Sequence, residues 1–264
     1  MYASIFSPQT STPKALTTFA NNAKKSSVRA AVAAYLQHHR YLPASSAPEI
    51  PKLKTRHVNP YLDFWAWSCQ HLLWAGPTAE TVNIHQSHPI LPIFYHHFGC
   101  VCPSYESLAL IKHAARGRDV IEVGSGNGYW ALMLRRIGLV VHAVDNGESE
   151  WRTMWIGDTV VSDGVQYLQH HQGGVKTLLL MVYPVTRNEY TASVLKAYRG
   201  DVVCVVGTQN RNGYTGFKDQ TIDEYIDNQM SGFERTMQVP LPSFAGKDDA
   251  LFVFERRREI EGPS

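Results

Sequence analysis

The sequence predicts an α/β fold, a mostly parallel sheet covered by helices and preceded by a helical cap. Three observations carry that reading. From Ser104 onward, short apolar runs alternate with helical patterns at the spacing of βαβ units. One apolar run opens through the glycine-rich turn Gly124-Ser125-Gly126-Asn127-Gly128 into a helix. The next apolar run closes on Asp145, which stands 21 residues after Gly124, close to the offset of about 20 at which an acid meets a ribose in such sheets.

Composition bounds the alternatives. The chain has 264 residues, 44% hydrophobic and 18% charged, enough apolar material for a core and too little bias for a fibrous or wholly disordered chain. The net charge of +2 hides an asymmetry, because residues 1–48 hold no acid but carry Lys14, Lys24, Lys25, Arg29 and Arg40. The rest of the chain is slightly acidic, so no nucleic-acid partner is expected. Cys69, Cys100, Cys102 and Cys204 form no CxxC pair and read as free thiols. His85, His88, His96 and His97 show no ligand spacing with a carboxylate, so no metal is expected. No apolar run approaches the roughly 18 residues of a membrane span, which predicts a cytoplasmic protein. The alternative is organellar targeting by the basic N-terminal segment.

The elements follow in order. Residues 1–27 are rich in Ser, Thr, Ala and Lys without apolar periodicity, and are expected to form a disordered basic tail. Residues 28–102 form the helical extension or cap. Ser27 caps a helix to residue 40 with a stripe of Val28, Val32, Tyr35 and Leu36, and a Pro/Ser cluster over 43–51 ends it. Asn59 and Pro60 then open a helix to Gly76. Its Trp65, Trp67 and Trp74 read as core, against the alternative of a substrate lid. The main domain spans 103–258, with a short tail at 259–264. It begins with a helix over 105–116, a strand over 119–123 and the glycine turn, followed by a helix to Ile137. Further strands are expected at 139–144, over 160–164 together with its turn, and at 177–183 and 202–206, with helices over 188–198 and 222–230. An antiparallel pair at 233–239 and 250–255 closes the sheet.

The glycine turn has a physical use. Glycines let the backbone bend tightly and approach a ligand, and the following helix offers unsatisfied N–H groups. Asp145, at the carboxyl end of the neighbouring strand, aims a carboxylate at the same crevice, so the pair describes a nucleoside site. A dinucleotide fingerprint would need a third Gly where Tyr129 stands, which disfavours a nicotinamide-dependent oxidoreductase.

The run Val120-Ile121-Glu122-Val123-Gly124-Ser125-Gly126-Asn127-Gly128 resembles motif I of the class I S-adenosylmethionine-dependent methyltransferases. The likeness implies a Rossmann-like seven-stranded sheet over the 103–258 domain and S-adenosyl-L-methionine as cofactor. By it, Glu122 holds the methionine amino group, and Gly124, Ser125, Gly126 and Gly128 lie against the methionine moiety. Asp145 and Asn146 meet the ribose, and Asp163-Gly164 the adenine, with Asp158 competing for that role. Tyr183-Pro184, after the fourth strand, faces the methyl group. Tyr129 either lines the pocket or packs its helix on the sheet, and Trp130 shares that choice. Gly128-Tyr129-Trp130-Ala131 is also similar to a poorly characterised fungal, plant and protist methyltransferase-like group, whose W-P-P is here Tyr183-Pro184-Val185.

The expected function is therefore methyl transfer to an oxygen or nitrogen of a small-molecule or protein acceptor. The alternative is a catalytically weak or inactive methyltransferase-like binding protein. Such a displacement runs largely on positioning and desolvation, so no catalytic residue is legible. Met181, Val182 and Tyr183 replace the Asn or Asp that enzymes methylating base or glutamine amines carry, which argues against those acceptors. Tyr183 reads as a pocket wall, and Arg211 in the polar loop 207–216 as a solvated side chain rather than a substrate clamp.

Overall fold

The computed structural model describes residues 2–43, 58–86, 88–186 and 189–257. The Pro/Ser cluster beyond Pro43 and the 259–264 tail lie outside them. The chain builds α1 (Thr12–Asn21), α2 (Val28–His38), α3 (Pro60–His71), α4 (Leu91–Phe98) and α5 (Tyr105–Ala115) before the first strand. Strands and helices then follow as β1 (Val120–Val123), α6 (Tyr129–Arg136), β2 (Val141–Asp145), β3 (Val160–Val161), α7 (Gly164–His170) and β4 (Leu178–Val182). The chain continues through α8 (Tyr190–Ala197), β5 (Val202–Thr208), α9 (Ile222–Gln229), β6 (Phe233–Pro240) and β7 (Asp249–Arg256).

The seven strands form one sheet in the order β3-β2-β1-β4-β5-β7-β6. The first five run parallel, and β7 is antiparallel to both β5 and β6. This is the Rossmann-like, mostly parallel α/β sheet the sequence predicts. In β4 and β5, alternate residues face opposite cores. Leu178, Leu180, Val202, Cys204 and Val206 pack toward the N-terminal helices, while Leu179, Met181, Val203 and Val205 pack toward α7, α8 and α9. Burial on both faces is why these strands read as continuous apolar runs.

The register decides where the chemistry sits. Val123 lies beside Val144 and Met181, so β1, β2 and β4 end side by side at one edge of the sheet. Ligands bind in the crevice beyond such carboxyl ends, at the point where the strand order reverses around β1.

The N-terminal segment departs from expectation. Residues 2–6 form a 3-10 turn and α1 follows it, burying Tyr2, Ile5, Phe6, Leu16 and Phe19. The Tyr2 ring meets Trp65 edge-on at 5.6 Å, and its hydroxyl donates to the Leu241 carbonyl at 3.3 Å. Isolated apolar residues leave no periodic signature, but here they fill the gap between α3 and the loop after β6. Pro13 in the first turn and the i, i+3 pair Leu16/Phe19 were the available helix signals.

Helix α3 also ends sooner than expected, at His71, and Leu73 takes the left-handed φ of +53°. Gly76 instead lets Tyr2 pass, since a Cβ there would lie 2.7 Å from the Tyr2 ring. Trp65 is buried as core, whereas Trp67 is about half exposed on the surface. The cap is tied to α5 by the Arg40–Glu106 ion pair and to the sheet by Tyr41, whose backbone pairs with Gln238 of the edge strand β6.

Candidate functional site

At the carboxyl edge of the sheet lies a cavity of about 720 Å³. The strands, the glycine turn and the cap all contribute walls. Gly124 N and Ser125 N both donate to the Val144 carbonyl, at 2.8 and 3.0 Å, folding the turn onto the end of β2. Asp145 then holds the turn from its other side: its Oδ2 accepts from Gly126 N and its Oδ1 from Gly147 N, both at 2.8 Å. Each oxygen keeps a further lone pair, enough to accept from ligand hydroxyls.

Glu122 is the electrostatic centre. Its side chain is 1% exposed, yet it faces the cavity, and Oε2 has no hydrogen-bond partner among the described residues. Burial pushes its pKa up to about 8, against the smaller opposing pull of the Arg135 charge and the Ala131 backbone. A carboxyl oxygen left unpaired at that depth is costly unless a cation or donor completes it. Ser125 Oγ, Asn127 Nδ2 and Trp151 Nε1 are likewise buried and unpartnered among the described residues, and all three residues line the same cavity.

Of the residues the sequence singles out, the structure brings Glu122, Gly124, Ser125, Gly126, Tyr129, Asp145, Asn146, Asp163, Tyr183 and Pro184 to the cavity wall. Gly128 and Gly164 are not in that wall, and their glycines serve packing. A Cβ on Gly128 would lie 2.3 Å from Ile156 Cγ1, and one on Gly164 2.3 Å from Val123 Cγ1. Gly124, by contrast, has nothing within 4 Å of where its Cβ would be. Asp163 reaches the cavity while its Oδ1 caps α7 by accepting from Val165 N and Gln166 N. Asp158, the competing acid, sits on the surface in an ion pair with Arg135 at 2.8 Å.

Tyr129 does both things the sequence left open. Its ring borders the cavity, while its hydroxyl donates to Asn59 Oδ1 at 2.6 Å and accepts from Tyr61 N at 3.1 Å, joining α6 to α3. Trp130 also lines the cavity and donates through Nε1 to the Val101 carbonyl at 2.8 Å. Arg211 pairs with Glu224 instead of entering the cavity.

Sequence reasoning missed the walls that come from elsewhere. Phe98, Gly99 and Cys100 bring the end of α4 to the site, Glu148, Ser149 and Trp151 follow β2, and Tyr190 starts α8. Trp151 left no signal in the sequence, because its place depends on the fold: its ring fills the space that the absent side chain of Gly126 leaves, 2.7 Å from the Cβ position. The described residues hold no cluster of three or more His, Cys, Asp or Glu that could bind a metal ion. None of their helices is long and apolar enough to cross a membrane.

No family model and no curated protein matches the chain. Solved structures similar to it include magnesium protoporphyrin IX methyltransferase from Synechocystis PCC 6803 with bound SAM. That likeness is 13% identical and covers 77% of this chain and 86% of that one, with a TM-score of 0.42. Thermoplasma acidophilum 1320 is 15% identical over 59% of this chain and 91% of its own, with a TM-score of 0.42. A protein of the NADB-Rossmann superfamily from Streptococcus agalactiae is 13% identical over 54% and 64%, with a TM-score of 0.37. These likenesses are of fold alone.

Proposed function

We propose that the chain is an S-adenosylmethionine-dependent methyltransferase acting on a small-molecule or protein acceptor. One observation carries the reading: a buried carboxyl on β1 with one unpartnered oxygen and a second carboxyl at the end of β2 face one cavity across a glycine turn. The donor set fits the ligand. Glu122 Oε2 lacks the donor that an ammonium supplies, Asp145 has lone pairs for ribose hydroxyls, and the open side of Gly124 leaves room beside the backbone. Asp163 and Tyr190 would border the adenine end, and Tyr183-Pro184 the reacting end.

When bound, the sulfonium supplies an electrophilic methyl carbon. The chain's own part is to orient the partners and exclude water, for which the aromatic and backbone walls at Phe98, Gly99 and Tyr183 are suited. The test is calorimetric titration with S-adenosylmethionine and S-adenosylhomocysteine, on the wild type and on Asp145→Ala. The expected result is micromolar binding that weakens at least about tenfold in the variant, the loss of roughly one charge-assisted hydrogen-bonded contact. Tighter binding of NADH than of either ligand, or binding unchanged in Asp145→Ala, would refute the reading.

A further inference from the structure

Behind the reacting end of the cavity stands a polar group that the cofactor reading does not use. Lys247, in the loop between β6 and β7, is 4% exposed, and its Nζ lies 2.7 Å from the Tyr183 hydroxyl. The same Nζ sits 3.7 Å from the centre of the Tyr214 ring, which would stabilise the ammonium once it forms. Tyr183 lines the cavity while Lys247, bonded to its hydroxyl, does not. The Tyr183 backbone is fixed in the left-handed region at φ +54°, with its N–H bonded to the Val206 carbonyl at 2.7 Å. A bulky residue held there is strained, and such strain persists only where the surroundings impose it.

Resting on the methyltransferase reading, we propose that Tyr183 and Lys247 form a proton relay that ionises a phenolic hydroxyl on the acceptor. The acceptor O–H proton passes to Tyr183 Oη as the Tyr183 proton passes to Lys247 Nζ. The acceptor leaves the step as a phenolate and the amine as an ammonium, so charge and protons balance. Tyr183 touches the acceptor, and Lys247 acts through it as a positioning and proton-accepting residue. A phenol suits a cavity whose lining includes the aromatic residues Phe98 and Tyr183.

The surrounding charges support this direction of transfer. Burial holds the Lys247 amine below the ordinary lysine range, opposed by Asp249 and Cys100, and burial raises the Tyr183 phenol above its own. Burial therefore favours the protonated Tyr183 phenol and weakens the hold of the Lys247 amine on its proton. Tyr95, on α4, approaches the Tyr183 hydroxyl at 3.5 Å, also as a phenol raised by burial. Asp249, at the start of β7, is raised to about 7 by burial, and its charge is the one that most favours an ammonium at Lys247. Asp248 is occupied elsewhere, accepting from Tyr35 at 2.6 Å, Gln209 at 2.6 Å and Asn210 at 3.0 Å.

The experiment needs no turnover. Protein saturated with S-adenosylhomocysteine, as checked by calorimetry, is titrated with 4-nitrophenol, whose phenolate is read by visible absorbance. In the wild type the bound phenol should ionise about one pH unit or more below its value in solution. That shift should vanish in Lys247→Met and in Tyr183→Phe, both of which keep size and should melt near the wild type. Equal shifts in wild type and Lys247→Met, or no phenol binding to the saturated protein, would overturn the relay. Failure of S-adenosylhomocysteine to bind would show at the calorimetric step, before any phenol is added, and would sink the cofactor reading with the inference built on it.

Discussion

Glu122 makes the cofactor reading measurable without an acceptor. Its carboxyl titrates at about 8 because it is buried, so at pH 7 roughly nine in ten molecules carry it protonated and neutral. Capture of an ammonium requires the carboxylate, so each binding event at pH 7 should release about 0.9 proton. The dissociation constant for S-adenosylhomocysteine should then fall about tenfold per unit from pH 5.5 to 7. Calorimetry at pH 7 in phosphate and in Tris reads the proton count directly, from the difference in apparent enthalpy divided by the difference in buffer ionisation enthalpy. In Glu122→Gln the release should vanish and the affinity lose its slope. A flat slope in the wild type, or the same proton release in the variant, would refute the assignment of Glu122 to the ligand's amine. The unliganded protein carries the mirror image. With the folded pKa above the unfolded 4.5, the stability this group contributes is full below pH 4.5 and is lost as pH rises through 8. Asp249, raised to about 7 by burial, acts with the same sign, so the apo protein should melt lower at pH 8 than at pH 6.

Two substitutions test the architecture around the site. Gly128→Ala, which must hold φ +77° with its Cβ 2.3 Å from Ile156, should cost about 1–3 kcal/mol in urea denaturation. An unchanged midpoint would show that the turn relaxes freely. Tyr2→Ala empties a buried site against Trp65 and Phe6 and should cost about 3–5 kcal/mol; a loss under about 1 kcal/mol would return the segment to the status of a loose tail.

The legible parts of this molecule were those encoded locally. Strand, turn and helix around Gly124 follow from glycine spacing and apolar runs within thirty residues, and Asp145 follows from the pitch of one βαβ unit. Strand ends shifted by only a residue or two, as β1 shows by starting at Val120 rather than at residue 119. What stayed hidden depends on partners far along the chain. Tyr2 and Phe19 have no meaning until α3 is placed against them, and Phe98 and Cys100 reach the cavity only because α4 packs under the sheet edge. Lys247 reads as an ordinary loop lysine until the register of β5 with β7 brings it behind Tyr183. Gly128 and Gly164 show the converse: glycines that fit a binding motif by spacing can be present for close packing.

The seam between the two ends of the chain also dictates an order of events. Tyr2 closes on Leu241 across 239 positions, and Tyr41 pairs with Gln238 on the outermost strand. On the ribosome, the segment that includes Tyr2, Ile5 and Phe6 emerges long before the surface that covers it exists. Those side chains must wait in solvent, or in a holding chaperone, while the central strands assemble, and they dock only after β6 and β7 have left the exit tunnel. Stalling synthesis before Leu241 should therefore leave the N-terminal turn open to protease even where the sheet around β1 and β4 is already resistant.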